Sequence, residues 1–154
     1  MGFFGKELIV INALKGKLKE ITDANGWNTT IKEVFISDVY DFEGLSNDKF
    51  PAILLVWKGA NDPSTNEGYD FTLDISIIVK YRLANKEISA QEDYDKLKQN
   101  IMKKVNEDMR LGLSNIIDHS FWGDFQAPVQ ITEGMTYQFD LGLNIQYYWT
   151  RTAP

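Results

Sequence analysis

The 154-residue chain lacks cysteine and has a single histidine, His119. Without cysteine it can form no disulfide, no thiolate metal site and no cysteine nucleophile. No apolar run approaches the roughly 18 residues that a membrane-spanning helix needs, and the N-terminus lacks the basic and apolar regions of a signal peptide. We therefore expect neither a membrane segment nor secretion.

Positive charge is also scarce. Sixteen lysines and arginines stand against 22 acidic residues, which gives a formal net charge of −6. The bases form no long cluster, and binding of nucleic acid through its phosphates depends on neutralising lysines and arginines. The composition therefore opposes a large DNA-binding surface, although it permits a wall that DNA passes without being held.

Motifs for catalysis and cofactor binding are missing as well. His119 lies beside Asp118, but proximity in sequence supplies neither the nucleophile contact nor the orienting group of a catalytic triad, so we interpret it as a surface or loop histidine. A calcium loop counted from Asp62 fails, because Glu67 and Leu73 stand where glycine and glutamate are needed. Glycine-rich phosphate loops are absent. From these residues we predict no catalytic residue, cofactor or metal, and the composition and motifs alone reveal no activity.

Two long alternating stretches, 69–83 and 137–149, are the strongest positive signal. Every second residue in them is apolar or aromatic: Tyr69, Phe71, Leu73, Ile75, Ile77, Val79, Tyr81 and Leu83 in the first, and Tyr137, Phe139, Leu141, Leu143, Ile145, Tyr147 and Trp149 in the second. A period of two is typical of a strand with one buried face. We expect six of them to lie beneath the helices: Leu73, Ile75, Ile77, Leu141, Leu143 and Ile145.

The first half of the chain predicts one helix and two further strands. Residues 3–25 have helical periodicity, with a proposed buried stripe of Phe4, Leu8, Ile11, Leu14, Leu18 and Ile21. The β-rich segment 31–38 predicts a strand. The apolar run 52–57 predicts a strand covered on both faces, and the polar segment 59–68 predicts a long hairpin loop.

The second half predicts a helix and one more long strand. Ser89 and Glu92 form a capping box at the start of a helix that runs to about residue 108. Segment 111–125 is predicted to be irregular, with a short turn around residues 114–118, and a loop or edge segment follows at 128–134. We expect a single α+β domain over residues 1–154, of order α-β-β-β-α-β. Its sheet is antiparallel or mixed, with about four strands and both helices on one face.

The length of the 69–83 strand predicts an intermolecular contact. Fifteen extended residues span about 50 Å, whereas a compact chain of this size is about 40 Å across. The strand must bend sharply or project, and a projecting end with an apolar row is best buried against another chain. Three aromatics near residue 122 are either core or a partner-binding patch. The candidate interface residues are Asp62, Ser64, Asn66, Tyr69, Phe121, Trp122 and Phe125.

The order of elements resembles the tail-terminator (tail-completion) proteins of tailed bacteriophages over roughly residues 3–150. The similar features are the Phe50-Pro51-Ala52-Ile53-Leu54-Leu55 strand entry, the strand 69–82, the helix 89–108 and the final strand 135–150. One departure is the long segment 111–130. The resemblance implies a non-enzymatic virion protein, assembled in the host cytoplasm. Its homohexameric ring would cap the tail tube and join it to the head-side connector or stopper.

Two alternatives stay open: another phage neck or tail subunit, such as a tube or head-closure protein, and a small ligand-binding α+β domain. If six copies close a ring through which DNA passes, a negatively charged wall would let the duplex slide without specific binding. The candidate channel-lining residues are acids in predicted loops: Asp41, Glu43, Asp48, Asp62 and Glu67.

Overall fold

The computed structural model describes residues 4–37, 42–58, 68–83, 90–108, 110–113, 116–122, 128–131 and 135–150. The helices and strands are α1 (Phe4–Leu18), β1 (Glu33–Ile36), β2 (Ala52–Lys58), β3 (Gly68–Arg82), α2 (Ala90–Glu107), β4 (Ile116–Trp122), β5 (Val129–Gln130) and β6 (Thr136–Thr150). Short 3-10 turns occur at Asp23–Asn25 and Asn47–Lys49.

These six strands form one sheet in the order β1-β2-β3-β6-β4, with β5 also paired to β6. β1 and β2 run parallel, and the other neighbouring strands run antiparallel. The predicted α+β fold with two helices is confirmed. The predicted number of four strands is too small, and the sheet is mixed because β1 follows the direction of β2.

The main hydrophobic core lies between the two helices and one side of the sheet, which we call the inner face. The six strand residues predicted for this core are at most 1% exposed. They pack with buried helix residues, none more than 3% exposed: Val10, Ile11, Leu14 and Leu18 of α1, and Leu97, Ile101 and Val105 of α2. Burial of each large aliphatic side chain contributes roughly 1.5–3 kcal/mol, so this layer supplies most of the stability.

The buried stripe of α1 differs from its prediction at the N-terminal end. Leu8 was assigned to the stripe but is 45% exposed, whereas Val10 is fully buried. The buried residues of this segment cluster on one arc that excludes Leu8: Val10, Ile11, Leu14, Leu18 and Ile21. Apolar residues spaced three and four apart are compatible with a buried side that includes Leu8 or with one that includes Val10. Only the position of the sheet decides which side is buried.

The end of α1 also lies earlier than predicted. The helix ends at Leu18, and a 3-10 turn follows in which the N–H of Asn25 donates to the hydroxyl oxygen of Thr22. Gly26 then takes a positive φ of 89°, a left-handed conformation that glycine adopts without a Cβ penalty. The stop predicted at Asn25 and Gly26 is therefore the end of this turn.

Segment 111–125 contains the clearest error of the sequence analysis. It was predicted to be irregular, but Ile116–Trp122 is strand β4, which pairs with β6. A register shift between Ile116 and Asp118 interrupts the alternation of faces, so the period-two signal is lost. The chain enters β4 through a turn in which Leu111 and Gly112 both have positive φ. The predicted edge segment near residue 128 is the short strand β5.

The outer face, opposite the helices, is divided into two parts. The alternate residues of β3, which are polar except Ile78, belong to this face. One part of the face is covered by residues 42–50, which we call the strap. Phe42 and Phe50 of the strap are buried against Ala52 and Leu54 of β2, and Ile78 of β3 packs at their border. This contact confirms that β2 is covered on both faces.

Candidate assembly surfaces

The central pair of strands, β3 and β6, extends beyond its neighbours in the sheet. β3 and β6 pair over all fifteen residues, from Gly68 opposite Thr150 to Arg82 opposite Thr136. β2 pairs with β3 only as far as Asp74, and the pairing of β4 with β6 ends at Tyr147. Among the described strands, the last three pairs of β3 and β6 therefore form a two-stranded end that no third strand borders.

The outer face beside the strap is polar and acidic. Asp74 and Asn144 are cross-strand neighbours there, and the Asn144 amide donates to the Asp74 carboxylate at 2.6 Å. Asp118 and Asp140 are exposed on β4 and β6. The remaining described side chains of this area on β3, β4 and β6 are neutral and polar: Thr72, Ser76, Ser120 and Gln146. Described bases are absent from this part of the three strands.

Lys80 lies further along the outer face of β3, near the end of the strand. The strap covers this lysine. Only 6% of Lys80 is exposed, and its amine donates to the main-chain oxygen of Phe42 at 3.3 Å while lying 4.7 Å from the centre of the Phe42 ring. Desolvation lowers the pKa of Lys80, and the charge of Glu43 acts in the opposite direction. The positive charge is thereby withdrawn from the outer surface.

The predicted interface residues are only partly brought together. Phe121 is half-buried and packs against the main core, which favours the core interpretation for this aromatic. Trp122 lies in β4 opposite Gly142, and Tyr69 lies in β3 opposite Trp149. The other candidates lie outside the described residues: Asp62, Ser64, Asn66 and Phe125.

Two of the five predicted channel-lining acids are described. Glu43 and Asp48 are exposed on the strap, where the Ser46 hydroxyl hydrogen-bonds to the Asp48 carboxylate at 2.5 Å and lowers its pKa. The others lie outside the described residues: Asp41, Asp62 and Glu67. The acids on the strands of the outer face were not selected from the sequence, because an alternating pattern does not tell which polar row stays uncovered.

His119 is half-buried and contacts a neighbouring helix. It lies in β4 and not in a loop as one interpretation had it, and its Nε2 is 2.8 Å from the Asn106 side-chain oxygen of α2. Within the described part of the chain, no three potential metal ligands come together. None of the described helices is long and apolar enough to cross a membrane.

A cleft of about 240 Å³ opens at the Arg82 end of β3. It is lined by Asn28, Thr29, Pro51, Tyr81, Arg82, Asp93, Lys96 and Leu97. The Tyr81 hydroxyl is already used, since it donates to the main-chain oxygen of Ala90 at 2.8 Å. Small-molecule sites are mostly apolar and occupy roughly 300–1,000 Å³, so this smaller, polar cleft gives the ligand-binding alternative little support.

No protein-family model matches the chain, and no curated protein matches it either.

Proposed function

We propose that this chain is a structural protein of a tailed-phage virion, a tail terminator. Six copies would close a ring that caps the tail tube and joins it to the head-side connector or stopper. The observation that carries the proposal is the long antiparallel pair of β3 and β6, whose end at Gly68 and Thr150 extends past the strands on both sides.

The end of this strand pair is suited to contact another chain. The six residues Gly68–Leu73 extend beyond the last pair with β2, a distance of roughly 20 Å. The sequence continues the apolar row there, with Tyr69 and Phe71 on β3 and Trp149 on β6. An isolated two-stranded hairpin is marginally stable in water. Burial against a neighbouring subunit or the tail tube would supply what the monomer lacks.

The charge distribution supports a channel that DNA passes. Six copies carry six times the net charge of −6, and each offers exposed Glu43, Asp48, Asp118 and Asp140. A wall of this kind offers no lysine or arginine that could displace the counterions of the DNA phosphates. The duplex is therefore not retained. We extend the expected channel lining from the loop acids to the acids on the strands of the outer face.

The proposal is tested first by mass in solution and then by tail joining. We expect a closed assembly of six times 17.7 kDa whose mass does not grow with concentration. Deletion of residues 62–66 should leave a folded protein that no longer joins tails, because these residues lie in the predicted contact loop between β2 and β3, which precedes the end of β3. A variant with the same five positions replaced by glycine and serine separates loop chemistry from loop length. Normal tail joining by both variants would refute the assembly role of this loop and of the strand end that follows it.

The alternatives give different results in the same measurements. A tube protein would polymerise without a fixed number of subunits, because its contacts do not close. A ligand-binding domain would remain a monomer at all concentrations. Tight binding of duplex DNA at physiological salt would contradict the acidic channel in either case.

A further inference from the structure

The cleft at the Arg82 end of β3 carries an excess of positive charge. Its charged lining residues are Arg82, Lys96 and Asp93, two bases against one acid. The whole chain has the opposite balance, with 16 bases and 22 acids. Both bases of the cleft are exposed, and among the described residues neither forms an ion pair. Within the described part of the chain, no carboxylate is therefore paired with either base.

A buried amide orients the polar wall of this cleft. The side chain of Asn100 is 9% exposed, and its amide nitrogen donates to the side-chain oxygen of Asn28. Because that oxygen is occupied, Asn28 offers the cleft its own amide nitrogen, which is a donor. Burial raises the pKa of Asp93, and the charge of Lys96 opposes this shift. The cleft thus presents cations and an N–H donor, which is the chemistry that binds a carboxylate.

The two bases stand on fixed elements of the fold. Arg82 is the last residue of β3 and pairs with Thr136 of β6. Lys96 lies on α2 beside Leu97, which is buried in the main core. The cleft volume of about 240 Å³ is below the usual range of small-molecule sites, but it admits side chains of a neighbouring protein. The cleft is therefore a preformed receptor for acidic side chains.

Acidic residues stand at the other end of the same strand. The segment 59–67 joins β2 to β3, so it adjoins the end at which the strand pair extends past its neighbours. This segment contains Asp62 and Glu67, and Asp70 follows on β3. No base occurs from residue 59 to residue 79. β3 therefore connects an acidic end to a cleft with an excess of positive charge.

We propose that the acidic segment 59–67 of one copy docks into the cleft of the next copy. The two bases of the cleft then bind the two carboxylates of the segment, Asp62 and Glu67. This inference rests on the proposed ring and names the contact between its neighbouring subunits. Two different surfaces meet, so the contact is heterologous, as ring formation requires. Charge complementarity selects which surfaces meet, and the apolar strand end that follows the segment supplies burial.

The contact divides the acids of the chain between two roles. Asp62 and Glu67 lie between subunits and not on the channel wall, although both were among the candidate channel-lining residues. The exposed acids on the strands of the outer face, Asp118 and Asp140, remain to line the channel.

Two charge-reversal variants test the contact. The cleft variant combines Arg82→Glu with Lys96→Glu, and the loop variant combines Asp62→Lys with Glu67→Lys. We expect the wild type to have a closed mass of six times 17.7 kDa. Each variant alone should be a monomer, because like charges then meet. An equimolar mixture of the two variants should restore the closed mass, since every contact of an alternating ring joins opposite charges. Sedimentation measures all of these samples.

The matched control combines Lys19→Glu with Arg110→Glu. It makes the same change of net charge as the cleft variant, at exposed positions that follow the C-terminal ends of α1 and α2. The control should keep the closed mass. The melting temperatures of the control and the cleft variant should equal that of the wild type, because exposed substitutions change stability little. Loss of the closed mass by the control would overturn the inference, since net charge and not the cleft would then govern assembly.

Failure of the contact and failure of the ring give different results. A cleft variant that keeps the closed mass, or a mixture that stays monomeric beside a closed wild type, would overturn the contact and leave the ring in place. A loop variant that keeps the closed mass but no longer joins tails would also overturn it, because the segment would then bind the tail tube. A monomeric wild type would refute both the contact and the ring.

Discussion

The two faces of the sheet differ in polarity and in what covers them. On the central strands β2, β3 and β6 the inner face is apolar or aromatic, and it is covered by two helices that carry apolar residues at helical spacing. The outer face is apolar only beneath the strap and is polar and acidic beside it. Stability is thus concentrated on one side of the sheet. The outer face contributes less to stability, and its polarity differs between the part beneath the strap and the part beside it.

Two buried lysines show the same contrast. Lys104 of α2 is 8% exposed, and hydrogen bonds to Glu20 and then Glu107 raise its pKa. Lys80 on the outer face is 6% exposed, and desolvation lowers its pKa, while the charge of Glu43 opposes this shift without reversing it. The helical side compensates a buried charge with acids, whereas the strap side compensates it with a main-chain oxygen and an aromatic ring.

The largest effect should come from truncation on the inner face. We expect Ile77→Ala or Leu143→Ala to lower the free energy of unfolding by about 2–5 kcal/mol, because each leaves a cavity in a packed core. Ser76→Ala on the outer face is the control and should change it by less than about 0.5 kcal/mol. Urea denaturation measures all three. Losses below about 0.5 kcal/mol at both core positions would contradict the contrast between the faces.

A smaller loss is expected from truncation of the strap. Phe42→Ala should cost about 2 kcal/mol, since the ring is buried but belongs to a small cluster that can collapse. Hydrogen exchange should show the loss confined to the strap and β2, because satellite clusters open locally. Leu45→Ala, at a half-buried position of the same cluster, is a milder comparison. Equal loss of protection in α2 would show that strap and core unfold as one unit.

The ion pair between Lys104 and Glu20 should have a smaller, pH-dependent effect. Their atoms are 2.9 Å apart, but half of the Glu20 side chain is exposed, so solvent screening keeps the contribution below about 1 kcal/mol. The raised pKa of Lys104 means that its contribution is lost only as the pH rises through the folded value, above the unfolded one. The lowered pKa of Glu20 means that its contribution is lost as the pH falls through the folded value, below the unfolded one.

The stability difference between wild type and Lys104→Met should therefore be largest between about pH 5 and 10 and shrink on both sides. Thermal unfolding across this range measures it. Lys17→Met is the control, because its 3.7 Å contact with Asp108 is more exposed. A difference that is constant across the whole range would show that only packing was lost.

Charge reversal on the outer face should have the smallest effect on stability. Asp118→Lys and Asp140→Lys alter exposed side chains and should change the free energy of unfolding by less than about 0.5 kcal/mol. If this face lines the channel, the double variant should retain duplex DNA at low salt where the wild type does not, with retention falling as salt rises. Lys19→Glu, on α1, is a charge-changing control away from this face. If the double variant retains no more duplex DNA than the wild type at low salt, the outer face does not line the channel.

The sequence by itself determined β3, β6 and the inner core. Alternation over fifteen residues is a local property, and burial of one strand face follows from it wherever the strand lies. The same holds for α2, whose apolar residues recur at helical spacing within the segment itself. The predicted cap residue Ser89 lies outside the described residues. The expected function came from the order of these elements and from strand length, both of which are readable before folding.

Only the tertiary structure decided the rest. Whether Leu8 is buried depends on where the sheet lies beneath α1, and whether Lys80 is buried depends on a strap from almost forty residues away. β4 was hidden because its register shift breaks the alternation, and its strand character comes from pairing with β6. Burial of a polar or irregular segment depends on contacts with distant residues, whereas local periodicity records only which side of a regular element is apolar.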